Sequence, residues 1–122
     1  MPYETLWEEK GIKWIFSGSL TNEDLFECNK ELYEDPRFLD IEYELCDFTA
    51  VEDWPVESKV IFSVGEQDAV QSQRNPNIKV AIISNEPVMR GLTSMYEASA
   101  YGSKWKTQFF ENEEDARAWL GA

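Results

Sequence analysis

Seven residues near the middle of the chain constrain its fold most. Ile78-Lys79-Val80-Ala81-Ile82-Ile83-Ser84 is mostly apolar and β-branched, with breakers on both sides: Arg74-Asn75-Pro76-Asn77 before it and Asn85-Glu86-Pro87 after it. A short apolar run without alternation reads as a central strand buried on both faces. Such a strand belongs inside a sheet that helices cover, so the segments around it are read for helical spacing.

They supply it. Val88, Leu92, Met95, Tyr96 and Ser99 form an amphipathic stripe after Pro87, and Gly102 is a reasonable stop. Upstream, Asp53 and Pro55 mark a helix start whose apolar face is Val56, Val60, Ile61 and Val64. Leu25, Cys28, Leu32 and Phe26, Asn29, Tyr33 give another stripe, opened by Thr21 as a cap with Glu23 and Asp24 at the positive dipole end, and closed by Pro36. Asn112 to Asp115 cap a short terminal helix that carries Ala116, Trp119 and Leu120 inward, with Gly121 past its end.

The remaining segments read as strands. Residues 4–8 and 12–18 form a hairpin through Glu9-Lys10-Gly11, and Lys104 to Phe110 is the last strand. Leu39 to Leu45 alternates apolar and acidic residues, as a strand with one buried and one wet face does. It continues through Cys46 and leaves the sheet into a loop at Asp47-Phe48-Thr49-Ala50-Val51. As an edge it could pair with another chain, although facing rows of acids oppose that. The order β-β-α-β-α-β-α-β-α implies crossover connections and hence parallel pairing beyond the hairpin. The expected fold is one α/β domain over residues 1–122: a mixed, mostly parallel sheet of about five strands flanked by about four helices.

Charge and composition exclude several functions. The chain has 24 acids, 11 bases and no histidine, for a formal net charge of −13. That charge disfavours nucleic acid and anionic membrane surfaces as partners. Without histidine there is no Ser-His-Asp triad, Cys-His pair or His-ligated metal. Residues 1–57 hold sixteen acids and four bases, while residues 58–122 are nearly balanced with eight and seven. One part of the surface is therefore far more negative and suits a basic protein partner. No apolar run reaches the ~18 residues of a membrane span, and acids replace the bases of a signal peptide near the N-terminus, so a cytoplasmic protein without stable membrane insertion is expected.

Local motifs add no catalytic centre. Glu8/Glu9, Glu23/Asp24, Glu52/Asp53 and Glu113/Glu114/Asp115 are paired acids, most of them at helix starts where the dipole explains them. Asp40, Glu42, Glu44 and Asp47 carry oxygen ligands but no calcium-loop glycine, and no phosphate-binding glycine motif is present. No enzyme activity, metal or cofactor is expected. Cys28 and Cys46 lack metal-type spacing and read as buried free thiols. Trp14 and Trp119 fall on apolar stripes, Trp7 and Trp105 on outer strands. Trp54 stands at a helix entrance where capping does not need it, a position suited to a protein contact.

Element order and four local patterns together resemble the SpoIIAA-like proteins, a branch of the STAS-type fold of sulfate transporters and anti-sigma-factor antagonists. The patterns are Ser17-Gly18-Ser19-Leu20-Thr21-Asn22-Glu23-Asp24, Asp47-Phe48-Thr49-Ala50-Val51, Lys79-Val80-Ala81-Ile82-Ile83, and the closing segment Phe110 to Leu120 with its Glu113-Glu114 and Trp119-Leu120. The match runs from about residue 5 to the end. The resemblance implies a partner-binding module without known catalytic activity. In the antagonists, a serine in an Asp-Ser-Ser-Gly turn is phosphorylated at a helix N-terminus. Here Glu52-Asp53-Trp54-Pro55-Val56-Glu57-Ser58 replaces that turn, and a phosphate would face Glu52, Asp53 and Glu57. The phosphoswitch is not carried over, and Asp47, Thr49, Asp53 and Ser58 remain as a candidate switch or partner surface. SpoIIAA-like proteins are also similar in topology to CRAL-TRIO lipid-binding domains. That similarity implies an apolar small molecule or lipid between helices and sheet, lined by Trp54, Ile61, Phe62, Met89, Leu92, Met95 and Tyr96; without a ligand the same residues make ordinary core.

Overall fold

The computed structural model describes residues 3–122. Five strands form one sheet in chain order: β1 (Tyr3–Trp7), β2 (Gly11–Ser19), β3 (Tyr43–Asp53), β4 (Lys79–Ile83) and β5 (Lys106–Phe110). β1 and β2 are antiparallel and every other pair is parallel, so the mixed, mostly parallel α/β sheet expected from the sequence is present. Four α-helices connect or follow the strands: α1 (Asn22–Glu34), α2 (Ser58–Gln71), α3 (Pro87–Ser99) and α4 (Glu113–Leu120), with a 3-10 turn at Pro36–Leu39.

The two sheet faces are covered unequally. Ile12, Trp14 and Phe16 of β2, Cys46 and Phe48 of β3, and Val80 and Ile82 of β4 share the large core with Leu25, Leu32, Ile61, Val64 and Met89 of α1–α3. On the opposite face, Tyr43, Leu45, Ala81 and Ile83 meet Ala116 of α4, with Phe110, Trp119 and Leu120 alongside. Both faces of β4 are thus buried, which accounts for its uninterrupted apolar run.

Local chemistry sets the helix ends. Thr21 Oγ1 accepts from the Asp24 backbone N–H at 3.2 Å and Asp24 Oδ2 accepts from the Thr21 N–H at 3.1 Å, a reciprocal capping box. Asn112 caps α4 through the Asp115 N–H at 2.8 Å, and Gly121 ends it with a left-handed φ of 74°. The breaker at 74–77 is itself a staple: Asn75 Nδ2 donates to the carbonyls of Phe38 and Ile41, both at 2.8 Å, and its own carbonyl accepts from Trp105 Nε1 at 2.7 Å. Trp105, just before β5, is therefore a buried core residue with a satisfied indole.

Several expectations need correction. β3 lies at the centre of the sheet, not at an edge, and residues 39–42 precede it instead of belonging to it. The strand also continues through Asp47-Phe48-Thr49-Ala50-Val51 to Asp53, because its long parallel pairing with β2 extends through a bulge to Ser19. Glu44 consequently faces the large core, apart from the exposed Asp40 and Glu42, which breaks up the acidic row. Finally, α2 begins only at Ser58, and in α3 Val88 alone of the expected stripe is exposed, while Leu92, Met95 and Tyr96 pack inward beside the buried Met89 and Thr93. α2 and α3 approach closely: a Cβ on Gly65 would overlap Ser99 Oγ and stand 2.9 Å from the Tyr96 carbonyl oxygen.

Candidate functional site

A cavity of about 80 Å³ lies between the sheet and helices α1, α2 and α3. Trp14, Phe16, Cys46, Phe48, Val80 and Ile82 form its floor; Leu25, Cys28, Ile61, Val64, Met89 and Leu92 come down from the helices. The surface is almost entirely hydrocarbon and aromatic, so its polar members stand out.

Glu44 is the first of them. It sits mid-sheet between Ile12 of β2 and Val80 of β4, is 3% exposed, and its Oε2 has no hydrogen-bond partner among the described residues. Burial pushes its carboxyl up to about 8. Trp14 Nε1, a donor on the same wall, is likewise buried without a partner. Two unpaired polar groups on one cavity wall are uncommon, because each costs about 1–3 kcal/mol when left unsatisfied.

Asp68 of α2 completes the polar set. Its Oδ1 accepts from Asn29 Nδ2 of α1 at 3.2 Å, and its Oδ2 accepts from the Tyr96 hydroxyl of α3 at 2.6 Å. Burial raises its pKa to about 7, against the downward pull of those two bonds. One buried carboxyl therefore joins the three helices that roof the cavity. Burial, with Glu44 and Asp68 adding repulsion, also pushes the Cys28 thiol and the Tyr96 phenol well up; Cys46 is raised by burial and by Glu44. The two cysteines are buried and free. Among the described residues no lysine or arginine stands on the cavity wall.

Of the apolar residues proposed from the sequence, Ile61, Met89, Leu92 and Tyr96 line the space. Met95 packs against the same core outside the wall, as does Trp54, whose ring is tilted against Phe48 with centroids 6.5 Å apart. Phe62 is 42% exposed and points away from the cavity, one step round α2 from the buried Ile61. Glu44, Asp68, Asn29 and Trp14 escaped selection. Their signals were present: Asp68 continues the Ile61–Val64 stripe, and Glu44 shares the parity of Cys46 and Phe48.

The four residues of the candidate switch surface lie along β3 and at the start of α2. Thr49 donates to Asp47 Oδ1 from both its N–H (2.9 Å) and its hydroxyl (2.7 Å). Asp53 accepts from Ser19 Oγ at 3.0 Å and from the Trp54 N–H at 3.0 Å, while Ser58 opens α2 and is exposed. A phosphate on Thr49 would displace a bond to an acid and meet that acid directly.

Among the described residues, no three His, Cys, Asp or Glu side chains are placed to hold a metal ion, and no helix is long and apolar enough to cross a membrane. No protein-family model matches the chain, and no curated protein matches it in sequence. Its structure is similar to the crystal structure of an uncharacterized protein of the DUF3478 family from Shewanella loihica PV-4, described as having a SpoIIAA-like fold. The two share 18% identity with a TM-score of 0.61 over 97% of this chain and 91% of the other. The fold of this chain is SpoIIAA-like.

Proposed function

We propose that this SpoIIAA-like fold serves as a non-enzymatic binding module that holds a small, largely apolar molecule between helices α1–α3 and the sheet. One observation carries the reading: the apolar cavity of about 80 Å³ has a buried acid, Glu44, whose Oε2 has no partner. A space kept merely as core would be favoured by an apolar residue at position 44, since burying an unpaired carboxyl is costly. A ligand with one polar group would satisfy it.

Native mass spectrometry of the purified chain tests this. A bound small-molecule mass is expected on the native sequence and none on Val64→Phe, which fills the cavity. A bare chain in both cases, together with no shift of the Ile61, Val64 and Leu92 methyl resonances under xenon pressure, overturns the reading.

A second reading, docking of a basic protein, is supported by the exposed acids Glu23, Glu27, Glu31 and Glu34 on α1 and by Glu52, Asp53 and Glu57 beyond the centre of β3. Binding of a lysine-rich peptide that weakens steeply with salt would support it.

A further inference from the structure

We propose that the molecule held in the cavity carries a protonated primary amine, seated against the Glu44 carboxylate with its short hydrocarbon chain among the aromatic walls. The inference rests on the ligand-binding reading above and specifies its chemistry. Glu44 is a buried acceptor without a partner, and no cation of the protein lines the same space. Asp68, the second acid on the wall, is already satisfied by Asn29 and Tyr96, which leaves Glu44 as the open acid; the other unpartnered group, Trp14 Nε1, is a donor and does not compete for a cation. Trp14, Phe16 and Phe48 place aromatic rings on the cavity wall, Phe16 and Phe48 stacked on one another with centroids 4.6 Å apart, and an ammonium group is attracted to rings of this kind within reach. An anionic head would instead meet two carboxyls with no opposing charge. The net charge of −13 acts in the same direction outside the cavity, concentrating cations at the surface.

Size limits the hydrocarbon. The cavity, at about 80 Å³, is roughly half of the ~150 Å³ that admits benzene, so a chain of about three carbons fits without opening the helices. Binding also moves a proton. Burial holds the free Glu44 carboxyl at about 8, so it is mostly protonated at neutral pH. The amine arrives as an ammonium ion. The Glu44 acid loses its proton to solvent as the ion pair forms, and close to one proton is released per amine bound. The other titratable groups facing the cavity are Cys28 on α1, Asp68 on α2, Cys46 on β3 and Tyr96 on α3. The amine contacts none of them in this scheme, and the two thiols and the phenol stay neutral.

Isothermal titration of the whole chain with n-propylamine, n-propanol and propionate, in buffers of different ionisation enthalpy at pH 7, tests this. Propylamine is expected to bind roughly tenfold or more tightly than propanol, in line with a charge-assisted bond replacing a neutral one. It should release close to one proton, and propionate should not bind. Glu44→Gln should abolish the proton release and remove the advantage of the amine over propanol. If Glu44→Gln fails to fold, proton release on the native chain still decides. Equal affinity for amine and alcohol, tighter binding of propionate, or amine binding without proton release overturns the amine assignment and leaves the ligand-binding reading standing. Failure of all three probes to bind also overturns the amine assignment, while the ligand-binding reading falls only on the bare native mass spectrum and the unshifted methyl resonances.

Discussion

Glu44 and Asp68 make the stability of this protein depend on pH with an unusual sign. Both are carboxyls whose folded pKa lies above the unfolded value, at about 8 and about 7. The folded chain therefore holds protons that the unfolded chain has already lost, and stability falls as pH rises from about 4.5 to 8. Glu8 works the other way: Arg117 holds it down at about 2, so its contribution is lost only as pH falls below about 4. The thermal midpoint is expected to peak near pH 5 and to decline toward pH 8. Glu44→Gln should flatten that decline, removing a pH-dependent loss on the order of a few kcal/mol. Thermal scans of both proteins across pH 4–9 check it; a native midpoint that rises from pH 5 to 8 would contradict the burial of both acids as protonated groups.

At the scale of elements, α2 and α3 pack as a pair because Gly65 lacks a side chain. Alanine at 65 would gain about 1 kcal/mol in helix propensity, but its Cβ would meet the Tyr96 carbonyl oxygen at 2.9 Å, a backbone atom that cannot rotate away. Overpacking of this kind costs about 1–3 kcal/mol, so Gly65→Ala is expected to lose up to about 2 kcal/mol net in urea unfolding. The same pair shows what the sequence could and could not convey. Strand and helix order, the Thr21 and Asn112 caps, Gly121 and the doubly buried β4 were legible, since each is written in adjacent residues. The exposure of Val88 was not, because a stripe through Leu92, Met95 and Tyr96 reads the same with Val88 or Met89 at its head. Glu44 was misread for a similar reason: alternation reveals the two faces of a strand but not which of them is wet, and at the centre of a sheet neither is.

The whole molecule is closed by a clamp between its ends. Arg117 of α4 donates through both Nη atoms to Glu8, at 2.8 Å each, and through Nε to Glu113 at 2.9 Å; Glu113 also takes Lys13 at 3.0 Å. The Tyr43 hydroxyl donates to Glu8 as well. Arg117→Ala would leave Glu8 half-buried with its main partner gone, a loss of about 1–2 kcal/mol. Faster amide exchange is expected in α4, with β4 unchanged, because the clamp joins Ala116, Trp119 and Leu120 and the Lys79 bond to the Trp119 carbonyl in holding the helix on the sheet. Uniform loss of protection across the sheet would instead show that α4 is part of the central folding unit.

The strand order carries a consequence for how the chain is made. Each strand pairs with the one that precedes it in sequence, from β1 through β5. On a ribosome, which delivers the N-terminal elements first, every emerging strand finds its neighbour already exposed, and no edge waits for a later segment to fill a gap in the sheet. The sheet can grow in one direction as the chain lengthens, and each added strand covers the edge left by the last. Arg117 comes last in that sequence, so its bond to Glu8 forms when the sheet is already complete and seals the final helix onto the first hairpin.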